Sequence, residues 1–411
     1  MTRIKKTIVT VDYGKCRDCG FCLTVNKCYS PRECIGCLSC YWSCPYEARV
    51  LKTIEADARN ITIYVDGIPY KIPGSISLAK ALEEYVGLTF ADPSSKKPSL
   101  ACKTGGCWSC ALVVNGSLER TCITPVVDRM RVETDVERYE PRRIIHGPSP
   151  HVVGGKATPW WQVDYRSYVE AAIWVAGCNL RCPQCQNYVV TYDNTSKPMT
   201  PREAAIEVVK CHREYGTRGI AVSGGEPTIN RRWLIEFFRE VSRRVSEKTR
   251  LHLDSNGTVL TPDYIDALIE NGCNNIGVEP KCVNPDTYMK ITGIDDRDLA
   301  SKYLETAWKA IEYINEYYSD KVYLGIGLVY NKALVSLDEI VEAGRKIASI
   351  NPEIQVTVLD YFPSFRRRDL KRPSYNEMFK VKRVLEEQGL KTVIVQTEIG
   401  HIGPGKVARK V

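Results

Sequence analysis

Beyond residue 160 the chain alternates short apolar runs with amphipathic stretches of helical period. Ala171-Ala172-Ile173-Trp174-Val175, Gly219-Ile220-Ala221-Val222, Leu251-His252-Leu253 and Asn275-Ile276-Gly277-Val278 read as buried strands, as do the runs 322–329 and 355–359. A helical pattern follows each. Thr200-Pro201-Arg202-Glu203 combines a capping box with proline at the first helical position, predicting a helix to Gly216 with Ala205, Val208, Val209 and Tyr215 on its apolar face. Strands alternating with helices imply parallel pairing with helical crossovers. The polar residues that follow the strands, such as Gly224-Gly225-Glu226-Pro227, Asp254-Ser255-Asn256-Gly257 and Glu279-Pro280-Lys281, then fall where such sheets carry their sites.

Upstream the period changes. Ile61-Thr62-Ile63-Tyr64-Val65 alternates at period two, Asp66-Gly67 is a hairpin turn, and Tyr70-Lys71-Ile72 returns. Ser77 to Gly87 reads as a short helix with those two residues as caps. Glu140 to Pro159 is rich in Pro and Gly with little periodicity, which predicts a linker. The expected organisation is residues 1–50, 56–135, a linker at 136–159, and 160–411. No transmembrane run, low-complexity tract, Walker loop or Rossmann fingerprint is present.

Composition matters mainly through cysteine. The chain has 411 residues, 18 Cys and a formal charge of +8. With no apolar leader, so many thiols read as metal ligands in a reducing cytoplasm rather than as disulfides. Cys34, Cys37, Cys40 and Cys44-Pro45 have the bacterial ferredoxin spacing, whose fourth Cys serves the other cluster of a pair. By that rule Cys16, Cys19, Cys22 and Cys44 hold one [4Fe-4S] cluster, and Cys28, Cys34, Cys37 and Cys40 another. A structural zinc on four of these thiolates is the alternative. Cys102, Cys107 and Cys110 have [2Fe-2S] ferredoxin spacing, with Cys122 completing the set. Cys178, Cys182 and Cys185 offer only three thiolates to a further four-iron cluster, which leaves one iron open.

The Cys-x3-Cys-x2-Cys run, followed by Ser223-Gly224-Gly225-Glu226-Pro227, resembles the radical S-adenosylmethionine (SAM) superfamily. Cys185-Gln186-Asn187, Asp254-Ser255-Asn256-Gly257, Lys281 and Asp360-Tyr361-Phe362-Pro363 bring the resemblance closest to the activating enzymes of glycyl radical enzymes. The segment ending at Cys122 resembles the β-grasp [2Fe-2S] domain of succinate dehydrogenase iron-sulfur subunits, with Trp108 where those families have Gly. The resemblance implies an α/β chain: a partial (β/α)6 TIM-type barrel with an N-terminal ferredoxin-like [4Fe-4S] module and a β-grasp [2Fe-2S] domain. It implies SAM bound at the open iron, with Gly224, Gly225 and Glu226 meeting its amino group and Ser255, Asn256 and Lys281 its carboxylate and ribose. Lys281 joins the three cysteines as a catalytic candidate. Gln184 departs from the aromatic residue usual before the third cysteine, and Glu279 from the usual Asp.

The implied chemistry is reductive cleavage of SAM to a 5′-deoxyadenosyl radical. That radical abstracts hydrogen from a protein, glycyl-type or otherwise, or from a small molecule. An external low-potential donor would feed it through on-chain clusters, three [4Fe-4S] and one [2Fe-2S] in all. The alternative is an electron-transfer or scaffold protein that binds SAM without turnover. Cys211 and Cys273 read as buried apolar residues; Cys282, beside Lys281, reads as buried or as a hydrogen donor. His252 reads as a core or pocket-lining residue. The basic runs at Arg231-Arg232 and Arg366-Arg367-Arg368 read as solvated faces. Neither membrane nor nucleic-acid binding is indicated.

Overall fold

The structure is a computed structural model that describes residues 1–28, 33–164 and 166–409. Residues 29–32, within the expected first module, lie outside the described residues, as do 165, 410 and 411.

The apolar runs form the centre of an 11-stranded sheet. Glu170–Val175, Gly219–Gly224, Arg250–Ser255, Asn275–Lys281, Tyr323–Tyr330 and Gln355–Asp360 pair in parallel in chain order, as a partial TIM-type barrel requires. Val393–Thr397 adds a further parallel strand, and antiparallel Gly400–Gly403 and Lys406–Arg409 extend that edge. Helices cross between the parallel strands; the one at Pro201–Glu214 starts with the predicted capping box, Thr200 accepting from Glu203 N while Glu203 accepts from Thr200 N. Ala205, Val208 and Val209 are buried as expected. Tyr215 is not: it follows the last helical turn, is 44% exposed and meets Tyr168 edge to face.

The stretch at 136–159 is not a linker. Arg143–His151 is a sheet strand, antiparallel to Glu170–Val175 on one side and to Pro198–Met199 on the other. Buried Ile144 and Ile145 drive the pairing. Pro148 and Pro150 are tolerated because the register shifts between His146 and Ser149 near the sheet edge. The next residues cross the barrel at the N-terminal ends of its strands, where Ala157 N lies 3.3 Å from His252 Nε2 and Ala157 O accepts from Asn275. Glycines clear the way: a Cβ on Gly325 would lie 2.1 Å from Lys156 O, and one on Gly277 3.0 Å from Lys156 Cβ.

Two smaller units precede the barrel. Thr2–Val11 and Arg49–Ala58 form a two-stranded antiparallel sheet that brackets the first eight cysteines. A five-stranded mixed sheet has the order Ile68–Pro73, Asn60–Val65, Arg131–Glu133, Ala111–Val114, Ser117–Arg120, and packs on the helix begun by N-cap Ser77 and closed by Gly87 at φ 79°. Its core is Ile63, Ile72, Leu78, Leu82, Leu112 and Val113.

Candidate active site and its cysteine modules

Strand Glu170–Val175 ends in Ala176-Gly177, and the chain then turns into the loop of Cys178, Cys182 and Cys185, all half-buried. Leu180 N donates to Cys178 Sγ at 3.3 Å, and Thr191 Oγ1 lies 3.8 Å from Cys185 Sγ. Burial pushes all three thiols up, Cys185 to about 12, and neighbouring thiolates add to the effect on Cys178 and Cys185; Lys281 opposes it at Cys182. Soft donors whose ionisation is opposed by burial and by one another suit a cationic iron centre, which supplies the missing positive charge.

The adjoining strand ends face this loop. Gly225 N donates to Val175 O and Glu226 N to Gly177 O, both at 2.8 Å. That approach needs glycine twice: a Cβ on Gly224, at φ 117°, would be 2.4 Å from Val175 N, and one on Gly225 2.3 Å from Gly177 O. The Glu226 carboxylate is already occupied. It accepts from Thr228 N, Thr228 Oγ1, Ser255 Oγ and Asn256 N, so it positions the Ser255-Asn256 turn. Asn256 Nδ2 lies 3.9 Å from Cys178 Sγ.

Lys281, at φ 72° and buried, donates to Glu279 at 2.5 Å and to Tyr361 Oη at 3.3 Å. Burial disfavours its charge, but Glu279 holds it well above the usual lysine value. Glu279 also meets Lys156 at 3.1 Å. Burial would raise its carboxyl, yet Lys281 and Lys156 bring it down to about 2. Lys156 continues to Asp254 at 3.8 Å, Asp254 to His252 at 3.2 Å and His252 to Glu170 at 3.0 Å. A ladder of alternating charge thus runs from the cysteine loop to the closed end of the barrel. Tyr361 lies in a run noted above, whereas Lys156 carries no sequence signal between Gly155 and Ala157.

Gln184 is buried and donates to Ile291 O. The Cys282 thiol points at Asn284 O, which fits the apolar-residue reading rather than a hydrogen donor at the site. Cys211 and Cys273 are buried, and His252 is completely so. The basic runs are solvated only in part: Arg368 is exposed, but Arg366 donates to the carbonyls of Tyr41, Trp42 and Cys44, and Arg232 to those of Val136, Glu137 and Tyr139.

In the five-stranded unit Cys102, Cys107, Cys110 and Cys122 are each at most 5% exposed. Thr104 N donates to Cys102 Sγ, and Cys102 with Cys107, and Cys110 with Cys122, are near enough to share protons. In the first unit burial raises Cys37, with Cys34 and Cys28 adding to it. Burial and then Cys37 raise Cys40 to about 12. Arg49 donates to Cys22 Sγ at 3.2 Å and Ala48 N to Cys44 Sγ at 3.3 Å. Among the described residues no group of three or more His, Cys, Asp or Glu side chains is closed tightly enough to hold a metal ion as it stands. The assignment of each set therefore rests on its spacing and on this mutual electrostatics.

Residues 173–344 match the Radical SAM superfamily and residues 58–137 the 2Fe-2S iron-sulfur cluster binding domain. The chain carries a radical SAM domain preceded by a [2Fe-2S] domain, and with them the implied use of SAM, one [4Fe-4S] and one [2Fe-2S] cluster. It is 31% identical over 115 residues to the GTP 3',8-cyclase of Petrotoga mobilis, covering 28% of this chain and 35% of that protein. It is 30% identical over 122 residues to a Methanocaldococcus jannaschii protein described as a glycyl-radical enzyme activating enzyme, covering 29% and 46%. The chain thus spans less than half the length of these relatives. Among solved structures it is similar to Streptococcus suis SuiB, with 15% identity and a TM-score of 0.43 over 57% of this chain and 50% of that one. Among the described residues no helix is long and apolar enough to cross a membrane.

Proposed function

We propose that this chain is a radical SAM enzyme that abstracts hydrogen from a protein or small-molecule substrate and takes its electrons through its own N-terminal and [2Fe-2S] modules. The observation that carries the reading is the convergence of Cys178, Cys182 and Cys185 with Gly224-Gly225, Ser255-Asn256 and Lys281 at adjoining ends of parallel strands. When bound, the [4Fe-4S] cluster supplies an open iron for SAM and a one-electron reductant for its sulfonium. With SAM held there, one electron would give methionine and a 5′-deoxyadenosyl radical, which with a substrate C–H would give 5′-deoxyadenosine and a substrate radical.

The chain's own groups bind and orient. Gly224 and Gly225 bring backbone against the cysteine loop, where a carbonyl can meet an ammonium. Ser255 and Asn256, fixed by Glu226, and Lys281, fixed by Glu279 and Tyr361, present donors to a carboxylate and a ribose. The loop around Lys156 fills the opposite end of the barrel, so substrate arrives at the C-terminal rim. Likeness to an activating enzyme supports a protein substrate, and likeness to cyclases a small molecule. Two further [4Fe-4S] clusters on the first eight cysteines complete the reading, in a reducing, cytoplasmic setting.

The test is anaerobic incubation with SAM and dithionite, assaying 5′-deoxyadenosine against a Cys178→Ala, Cys182→Ala, Cys185→Ala variant. The wild type alone should form it, and the same preparation should hold about fourteen irons. If the wild type forms none with its clusters fully loaded, the electron-transfer reading takes over.

A further inference from the structure

The N-terminal and [2Fe-2S] cysteines differ in their access to solvent. Cys19 and Cys28 of the N-terminal module are exposed, Cys16, Cys22, Cys34, Cys37 and Cys40 are half-buried like the radical SAM cysteines, and only Cys44 of that set is buried. All four cysteines of the [2Fe-2S] module are buried.

The [2Fe-2S] cysteines also lie between two partners. On one side Cys37 packs against Cys110, Cys122 and Ile123, and Ser39 Oγ donates to Thr104 O at 3.1 Å. On the other side the Cys102–Cys107 loop touches the radical SAM cysteine loop. A Cβ on Gly106 would stand 2.9 Å from Gly177 N, and one on Gly177 2.7 Å from Cys107 Cβ, so two glycines allow backbone to meet backbone there. Arg181, between Cys178 and Cys182 in sequence, closes the joint by donating to Cys102 O at 2.5 Å and to Cys178 O at 2.8 Å. Its guanidinium also lies 4.9 Å over the Trp42 ring of the N-terminal module. Cys110 and Cys122 thus face the N-terminal module, while Cys102 and Cys107 face the radical SAM loop. Electron tunnelling weakens steeply with separation, so an external protein is served best by the exposed thiols and worst by the enclosed ones.

We infer that an external one-electron donor meets this chain at the N-terminal module, and that the four [2Fe-2S] cysteines form an interior station between that module and the loop of Cys178, Cys182 and Cys185. The inference rests on the cofactor reading above. Its electron balance needs a low-potential donor protein of ferredoxin type, which gives up one electron for each SAM cleaved.

The test uses the full reconstituted chain, without SAM, so its outcome is independent of radical chemistry. Reduced ferredoxin is mixed anaerobically with wild type and with a Cys34→Ala, Cys37→Ala, Cys40→Ala variant, and formation of the reduced [2Fe-2S] signal is followed by freeze-quench EPR. Dithionite should give the full [2Fe-2S] signal in both, which shows that the module has folded. Ferredoxin should reduce that centre at least about tenfold more slowly in the variant. A second variant, Lys15→Glu with Arg17→Glu, keeps every cysteine and reverses two exposed charges beside Cys16 and Cys19; an acidic ferredoxin should reduce it several-fold more slowly at low salt. Wild-type rates in either variant overturn the inference.

Discussion

Trp108 occupies a backbone conformation, φ 61°, that glycine adopts freely and a tryptophan does not. The resembling families have glycine there. What this chain gains is a joint: the indole lies 4.7 Å from the Arg120 guanidinium and packs with Ile144 and Ala176 of the barrel domain. Trp108→Gly should relieve about 1 kcal/mol of backbone strain but lose more in packing and cation–π attraction. The net cost is expected to be about 2–4 kcal/mol, read as a lower Tm with cysteine ligation intact. The departure was legible in the sequence. Its use was not, because Ile144 belongs to a stretch whose prolines hid a strand.

At the scale of elements, buried parallel strands announce themselves as continuous apolar runs, and the residues after them were placed correctly from pattern alone. Arg143–His151 escaped because pairing there is held by Ile144, Ile145 and sheet neighbours far along the chain, not by alternation. The crossing loop escaped for the same reason: Lys156 N finds Asp254, 98 residues away. That loop presses on His252, whose imidazole is disfavoured as a cation by burial but held up at about 9 by Glu170 and Asp254. A raised folded-state pKa contributes stability that is complete below the unfolded value near 6.5 and fades as pH climbs through about 9. His252→Gln should therefore cost about 1–3 kcal/mol at pH 6 and markedly less at pH 9.5, measured by denaturant unfolding at the two values.

For the whole molecule, assembly turns on Asn194, a residue with no motif around it. Its side-chain nitrogen lies within hydrogen-bonding distance of Asn26, Ser39 and Thr104, its Oδ1 accepts from Lys27 N, and its backbone carbonyl accepts from Arg120. One buried amide thus joins all three modules. Asn194→Ala strands Asn26, Ser39, Thr104 and Lys27 N, leaving the backbone bond to Arg120, and should destabilise the chain by about 2–4 kcal/mol. Limited proteolysis should then cut residues 1–58 faster than in wild type, whereas a variant at exposed Lys302 should digest normally. Cysteine spacing made the [2Fe-2S] and radical SAM domains legible separately; how the parts of the chain dock was not, since the groups that join them lie far apart in sequence.

The arginines at these joints change what the chain's positive charge means. Arg120, Arg143, Arg231 and Arg366 donate hydrogen bonds to main-chain carbonyls of other segments. Bonds of that kind need no anion opposite, and a planar guanidinium can serve several carbonyls where a lysine would reach one. Part of the excess of +8 is therefore structural mortar rather than bait for a polyanion. Concentrated salt, which dissolves joints made of exposed ion pairs, leaves mortar of this sort in place.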